Sequence, residues 1–403
     1  MNSEGIMNYT FIGENKITKS FIIKVFLTFI IILENPFIIK AQDTTQVKKD
    51  TTAKKISKFD QFNKKAEALF KVIPFPMVTY STETGTVFGL VKYNMVQLVK
   101  GDTISSASSF SELVSISTEG QFKVVLGSTL YLNEDRIVLR GGVNYITFPE
   151  YILGVGNEVS RDNIERISSN SFAFYNTFLY SFVKSRDFYV GIVQEYVNYL
   201  KIETDSTSFL LENKYPGYQG GVTSGFGFGL AYDTRDLKQN ASKGVYLEST
   251  FKFFGKPVGS DFAYNTFELD MRYFINPWLK HVIAFQAYTL GNFGAVPFFD
   301  LGKLGGSNAM RGYYLGAIRD KVMAYAQVEY RMPVWKIFGV VGFAAAGRVA
   351  PAYNAMHFNG LWYSGGFGLR VMVDSRNKAN LRFDFGYGEE GSKTLSVGFT
   401  EAF

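Results

Sequence analysis

The sequence predicts an all-β fold, a transmembrane antiparallel β-barrel of about 16 strands. Three observations lead there. Of 403 residues, 39 are Phe, 25 Tyr and 3 Trp, beside 39 Gly and only 10 Pro, a mixture that antiparallel strands with aromatic girdles and tight bends consume. Period-two alternation recurs through the body: in Leu381–Tyr387 one face is Leu381, Phe383, Phe385 and Tyr387, the other Arg382, Asp384 and Gly386. Finally, no stretch after Leu33 reaches the roughly 18 consecutive apolar residues of a spanning helix, so a membrane-bound body crosses as strands.

Composition also excludes. Apolar residues at 46% and charged residues at 19% rule out disorder. There is no Cys, hence no disulfide, thiolate metal site or Cys nucleophile, and only His281 and His357 offer an imidazole. Metal-ligand spacing and a Gly-x-Ser-x-Gly elbow are both absent, so the sequence implies no enzyme, metal or cofactor. The net charge of +6 is not spread over the body: residues 72–403 hold 30 basic against 29 acidic side chains. That asymmetry argues against nucleic acid.

Taken in chain order, residues 1–41 read as a signal peptide. Lys16, Lys19 and Lys24 precede the apolar run Val25–Leu33, which as a helix spans only about 14 Å, half a hydrocarbon core. Cleavage is expected near Ala41. Residues 42–71 are rich in Lys and Thr, too poor in apolar residues to build a core, and read as a short periplasmic tether. Residues 72–403 form the barrel. Alternating runs fall near 77–83, 86–99, 108–119, 121–133, 136–148, 167–183, 187–203, 221–235, 244–255, 261–276, 280–294, 321–333, 337–349, 361–373, 379–388 and 394–403. If the first strand rises from the periplasm, the connections after odd strands are external, and they include the long segments 149–166, 204–220 and 295–320. Several after even strands are tight, such as 184–186 and 375–378, an asymmetry expected of outer-membrane barrels. Gly225-Phe-Gly-Phe-Gly229 has the wrong spacing for a nucleotide fingerprint and reads as a bend in a strand.

The longest connection carries Gly302, Gly305, Gly306, Gly312 and Gly316, enough freedom for a tight reversal. Within it, Met310-Arg311-Gly312-Tyr313-Tyr314 resembles the Arg-Gly-Tyr/Phe signature of the outer-membrane assembly superfamily of the BamA and TamA type, also called bacterial surface antigens. It falls between the eleventh and twelfth strands, where that family places it. The resemblance implies that this long external loop folds inward into the lumen, its Arg against an acidic residue of the wall. Glu329, on the polar face of the twelfth run, is the first-choice partner of Arg311. The family's next strand reads Phe-x-Asp-x-Gly; here Ala345 stands in place of the Asp, and Asp384 is the substitute. Tyr232-Asp233-Thr234-Arg235-Asp236 with Gly244 resembles the family's periplasmic turn, with Ala241 where a Pro is common. Phe403 resembles its aromatic assembly signal, although Glu401 stands where an apolar residue is usual.

Functional expectation follows from the resemblance. Segment 42–71 is shorter than one periplasmic docking repeat (POTRA domain), so the sequence is similar to a barrel-only branch. It is expected in the bacterial outer membrane, in contact with lipid, as an accessory in protein or lipid transport and assembly working with a separate periplasmic partner. The alternative is a passive pore or structural surface protein with the folded loop as a plug.

Overall fold

Alternation in hydropathy becomes alternation in burial. The computed structural model describes residues 73–403 except 100, 101, 103 and 205–207, and, before them, residues 59, 61, 63–65 and 67. The signal peptide expected over 1–41, and most of the tether expected over 42–71, lie outside the described residues. The six described positions before 73 are helical; Phe59 packs on Trp335 at a ring separation of 5.0 Å, and Glu67 accepts a hydrogen bond from Ser375.

Sixteen strands form the wall. They are β1 (Phe75–Ser81), β2 (Gly85–Val96), β3 (Ser108–Ser117), β4 (Phe122–Leu132), β5 (Ile137–Ile152), β6 (Glu165–Tyr180), β7 (Phe188–Glu203), β8 (Gly221–Asp233), β9 (Gly244–Phe254), β10 (Tyr264–Ile275) and β11 (Val282–Gly294). Two three-residue strands, β12 (Gly302–Leu304) and β13 (Ile318–Asp320), pair with each other inside the long connection. The wall resumes with β14 (Val322–Trp335), β15 (Phe338–Ala350), β16 (Trp362–Asp374), β17 (Ala379–Gly388) and β18 (Lys393–Phe399). Every neighbour is antiparallel, and β18 closes on β1. Closure satisfies the backbone groups that hydrocarbon cannot.

On β8 the odd positions Thr223 and Ala231 are buried, while Phe226, Phe228, Leu230 and Tyr232 are exposed. The same rule gives Phe285 on β11 and Phe367 and Leu369 on β16 as outward apolar residues. An apolar outer face of this extent suits lipid, not water. The glycine run in β8 does not interrupt the ladder: Gly225 to Asp233 stay in register with β9. Gly225, Gly227 and Gly229 point inward, and Gly225 leaves room for the Phe254 ring.

Two departures matter for the site. β18 ends at Phe399 instead of running to Phe403, because Thr400 adopts a left-handed φ of 62° that no ladder accommodates. Its ladder with β1 consists of Tyr80–Leu395 and Ser81–Thr394, whereas β1 pairs with β2 from Phe75 to Ser81.

Both mouths of the barrel are covered. At the end of the long connections, Ile152, Ile167, Leu210, Phe254, Phe298 and Phe299 form an apolar cap. At the other end the β8–β9 connection, 234–243, reaches across: Gln239 donates to the Ala107 carbonyl at 3.4 Å and Asn240 to the Lys378 carbonyl at 2.9 Å. A polar cavity of about 220 Å3 lies against β5 to β11, lined by ion pairs such as Arg140–Glu248 and Lys252–Glu195.

Candidate functional site: an arginine clamp between loop and wall

The connection from β11 to β14 is anchored by sequence-local geometry before any charge is considered. The β12–β13 ribbon sets its neck, and Gly305, Gly306, Gly312 and Gly316 all take positive φ. Gly312 lies closest against the wall: its φ is 127°, and a Cβ there would lie 2.5 Å from the Tyr387 backbone. The wall makes matching room. Gly386 receives the Arg311 backbone and Gly388 receives the Tyr313 ring, both on the inward parity of β17. Tyr313 then donates to the Tyr363 carbonyl at 2.6 Å and accepts from the Glu389 N–H at 2.7 Å. Met310, Tyr313, Leu304 and Ile318 bury themselves with Val349 and Trp362 in one apolar cluster.

This packing delivers Arg311, 1% exposed, to two carboxylates. Nη2 donates to Glu329 Oε2 at 2.7 Å, and Nη1 donates to Asp384 Oδ2 at 2.8 Å. The Phe343 ring lies under the guanidinium, 3.6 Å from its Cζ. Glu329 and Asp384 therefore act together, not as alternatives. Ala345 offers no charge and packs in the apolar cluster; Asp384, two strands away, fills the electrostatic role.

Three wall arginines complete the cluster. Arg331 Nε donates to Glu329 Oε1 at 2.7 Å, Arg370 Nη1 to Asp384 Oδ1 at 2.6 Å, and Arg382 Nη1 to Asp384 Oδ2 at 2.9 Å. Arg382 also holds the loop backbone through the Ser307 carbonyl at 2.9 Å. The sequence marks them only as inward-parity charges, and nothing in it assigns their partners. Single-partner removal from a buried pair costs about 3–5 kcal/mol, since the remaining charge stays desolvated.

The second sequence motif sits apart, at the short-turn mouth. Asp233 receives Arg235 through Nε at 2.9 Å and Nη2 at 2.8 Å, with Lys238 at 3.0 Å. Arg235 stacks on Tyr246 at 4.3 Å, and Thr234 exchanges hydrogen bonds with Val245. Burial raises the Asp236 carboxyl, but the Ser242 hydroxyl and the N–H groups of Ser242, Lys243 and Leu237 outweigh it and hold it below the usual carboxylate range. These contacts shape a connection. Phe403 is also placed differently from a strand-end aromatic: it lies in the interior with Phe274, Ala241 and Ala284.

Comparison with known proteins addresses the fold and the family. Residues 103–402 match the Omp85 superfamily domain. Among solved structures, the chain is similar to BamA from Haemophilus ducreyi lacking POTRA domains 1–3, at 15% identity and a TM-score of 0.51, covering 80% of this chain and 69% of that one. It is similar to CdiB from Acinetobacter baumannii at 12% identity and a TM-score of 0.51, covering 79% of this chain and 58% of that one. CdiB from Escherichia coli gives 10% identity and the same TM-score, with 79% and 62% covered. The chain thus spans about three fifths of the length of the CdiB structures. No curated protein sequence matches it. Identities this low speak for the fold alone, whereas the domain match runs from before β3 to past the last strand of the wall; the chain belongs to the Omp85 superfamily and is a protein of the bacterial outer membrane.

Proposed function

We propose that this barrel is an accessory of protein or lipid transport and assembly at the outer membrane, passing or inserting its cargo at the β1–β18 seam with a separate periplasmic partner. The observation that supports this reading is the seam itself. Two residue pairs close it, while β5 and β6, for example, pair from Ile137–Tyr180 to Ile152–Glu165. A short ladder is the least costly place to part a hoop, and a parted edge offers backbone groups to an incoming strand or polar headgroup. In this reading Arg311, Gly312 and Tyr313 keep the loop seated in the lumen through Glu329 and Asp384 while the seam works. The turn Asp233–Asp236 shapes the periplasmic rim, and Phe403 contributes to assembly of the barrel.

The test uses the absence of native Cys. A photo-crosslinker at Val78, which is outward-facing on β1 and half exposed, should capture polypeptide or lipid cargo in living cells. Tyr80→Cys with Leu395→Cys places two thiols at directly paired positions, within disulfide reach. Oxidation should abolish capture and reduction restore it. Capture that ignores the lock, or no capture beside steady single-channel conductance, overturns the proposal in favour of a passive barrel.

A further inference from the structure

The segment after β18 turns into the lumen and binds the same cluster that holds the loop. Glu401 Oε2 accepts from Arg370 Nε at 2.7 Å, and Glu401 Oε1 accepts from Asn380 Nδ2 at 2.6 Å. Arg331 donates through Nη2 to a main-chain oxygen of Phe403 at 3.0 Å and through Nη1 to the Ala241 carbonyl at 3.3 Å. Its guanidinium lies 5.7 Å from both the Phe274 and the Phe403 rings. Glu401, Ala402 and Phe403 are all buried.

Each carboxylate that receives Arg311 therefore shares an arginine with this segment. Glu329 shares Arg331, and Asp384 shares Arg370. Counting side chains, the cluster holds four guanidinium groups, Arg311, Arg331, Arg370 and Arg382, against three carboxylates, Glu329, Asp384 and Glu401, with a main-chain oxygen of Phe403 beside them. Without Glu401 four guanidinium groups would face two side-chain carboxylates in a site where little solvent screens them. Three of these arginines stand on strands with fixed backbones. Arg311 alone stands on a connection, so it is the one able to withdraw. Competition points the same way: Arg370 Nη2 already lies 3.7 Å from Glu329 Oε2, the oxygen that takes Arg311. Released from Glu401, Arg370 would contend for that oxygen.

We propose that Glu401 is a positioning residue for the long loop, and that docking of segment 400–403 and seating of loop 302–320 are two coupled states of one charge network. The inference stands on the clamp geometry and is independent of what the barrel transports. Coupling of this kind is reciprocal: undocking either element weakens the other by the same factor.

Hydrogen exchange on the full chain, folded in phosphatidylethanolamine and phosphatidylglycerol vesicles, tests it. The readout is the loop amides Gly306, Tyr313 and Gly316, which donate to Tyr313, Met310 and Leu304 carbonyls respectively. Glu401→Gln should speed their exchange roughly 5- to 150-fold, the span of typical coupling between sites. Exchange at Leu211 and Glu212, bonded to Ser208 in the remote cap, should not change, and Glu401→Asp should restore part of the protection. Phe403→Ala, which leaves every charge in place and removes only the aromatic seat, should also speed loop exchange; it serves if Glu401→Gln does not fold. Arg311→Ala should accelerate exchange at Glu401 to Phe403. Faster exchange confined to residues 400–403 in both segment variants, with loop amides unchanged, would overturn the coupling.

Discussion

At the residue scale, Arg311 is over-determined: two carboxylates, one aromatic face and a glycine on each side of the contact fix it. Glu329→Gln and Arg311→Ala should each destabilise the seated loop by about 3–5 kcal/mol, and the double variant should cost much less than their sum. Thermal unfolding of the four species in one detergent measures the cycle, and additivity would remove the pairing. Asp300, in the cap, makes a second prediction. Burial first, then the nearby Glu195 charge, push its carboxyl up to about 6, against opposing contributions from Tyr264, Lys303 and Thr223. A folded pKa above the unfolded value means that protonation favours the folded cap. The contribution is therefore complete below about pH 4 and is lost as pH rises through about 6. Protection factors, that is, exchange corrected for its intrinsic pH dependence, should be higher in the cap helix Phe209–Glu212 at pH 5 than at pH 7.5, and Asp300→Asn should flatten that difference. Glu329 was legible as an inward charge near an expected loop. Asp384 was legible only as a substitute, because its approach depends on how far β17 is staggered against β14, which no local pattern records.

At the element scale, the loop and the last strand teach opposite lessons. The loop's position between the eleventh and twelfth wall strands followed from counting alternations, and Gly312 carries the local reason it can lie flat on β17. Gly312→Ala changes no charge, yet it requires a strained φ and meets the Tyr387 backbone. It should cost about 1–3 kcal/mol and expose the loop to protease within 303–316, which limited proteolysis detects. Alternation predicts a last strand running to Phe403, four residues beyond the Phe399 end it has. Ser396 to Phe403 keeps aromatic and small residues in plausible alternation, and the break comes from a single non-glycine residue, Thr400, in a left-handed turn. Alternation cannot register that turn, because the buried partners that stabilise it, Arg370, Asn380 and Arg331, come from three other strands. The glycines of β8 keep their ladder with β9, and the Phe254 ring uses the room that Gly225 leaves.

At the scale of the whole molecule, sixteen strands were legible because lipid demands an apolar residue at every second wall position, a constraint written along the entire chain. Connection length predicts the orientation: if 204–220 lie outside and 184–186 in the periplasm, a membrane-impermeant thiol reagent on intact cells should modify Cys introduced at exposed Glu212 and leave Cys at exposed Ser185 untouched. Modification of the short turn from outside would invert the topology.

The β8–β9 connection has a mechanical meaning. It springs from the part of the ring opposite the seam, and its two far contacts, Ala107 in the β2–β3 turn and Lys378 in the β16–β17 turn, lie on either flank of that seam. It is a strut across a hoop, with its forked end spanning the hoop's weakest joint. Parting β1 from β18 would move the fork's two points apart, and the bonds of Gln239 and Asn240 would add stiffness against such a parting. Shortening either side chain should lower that stiffness and leave the curvature of the remaining wall unaltered.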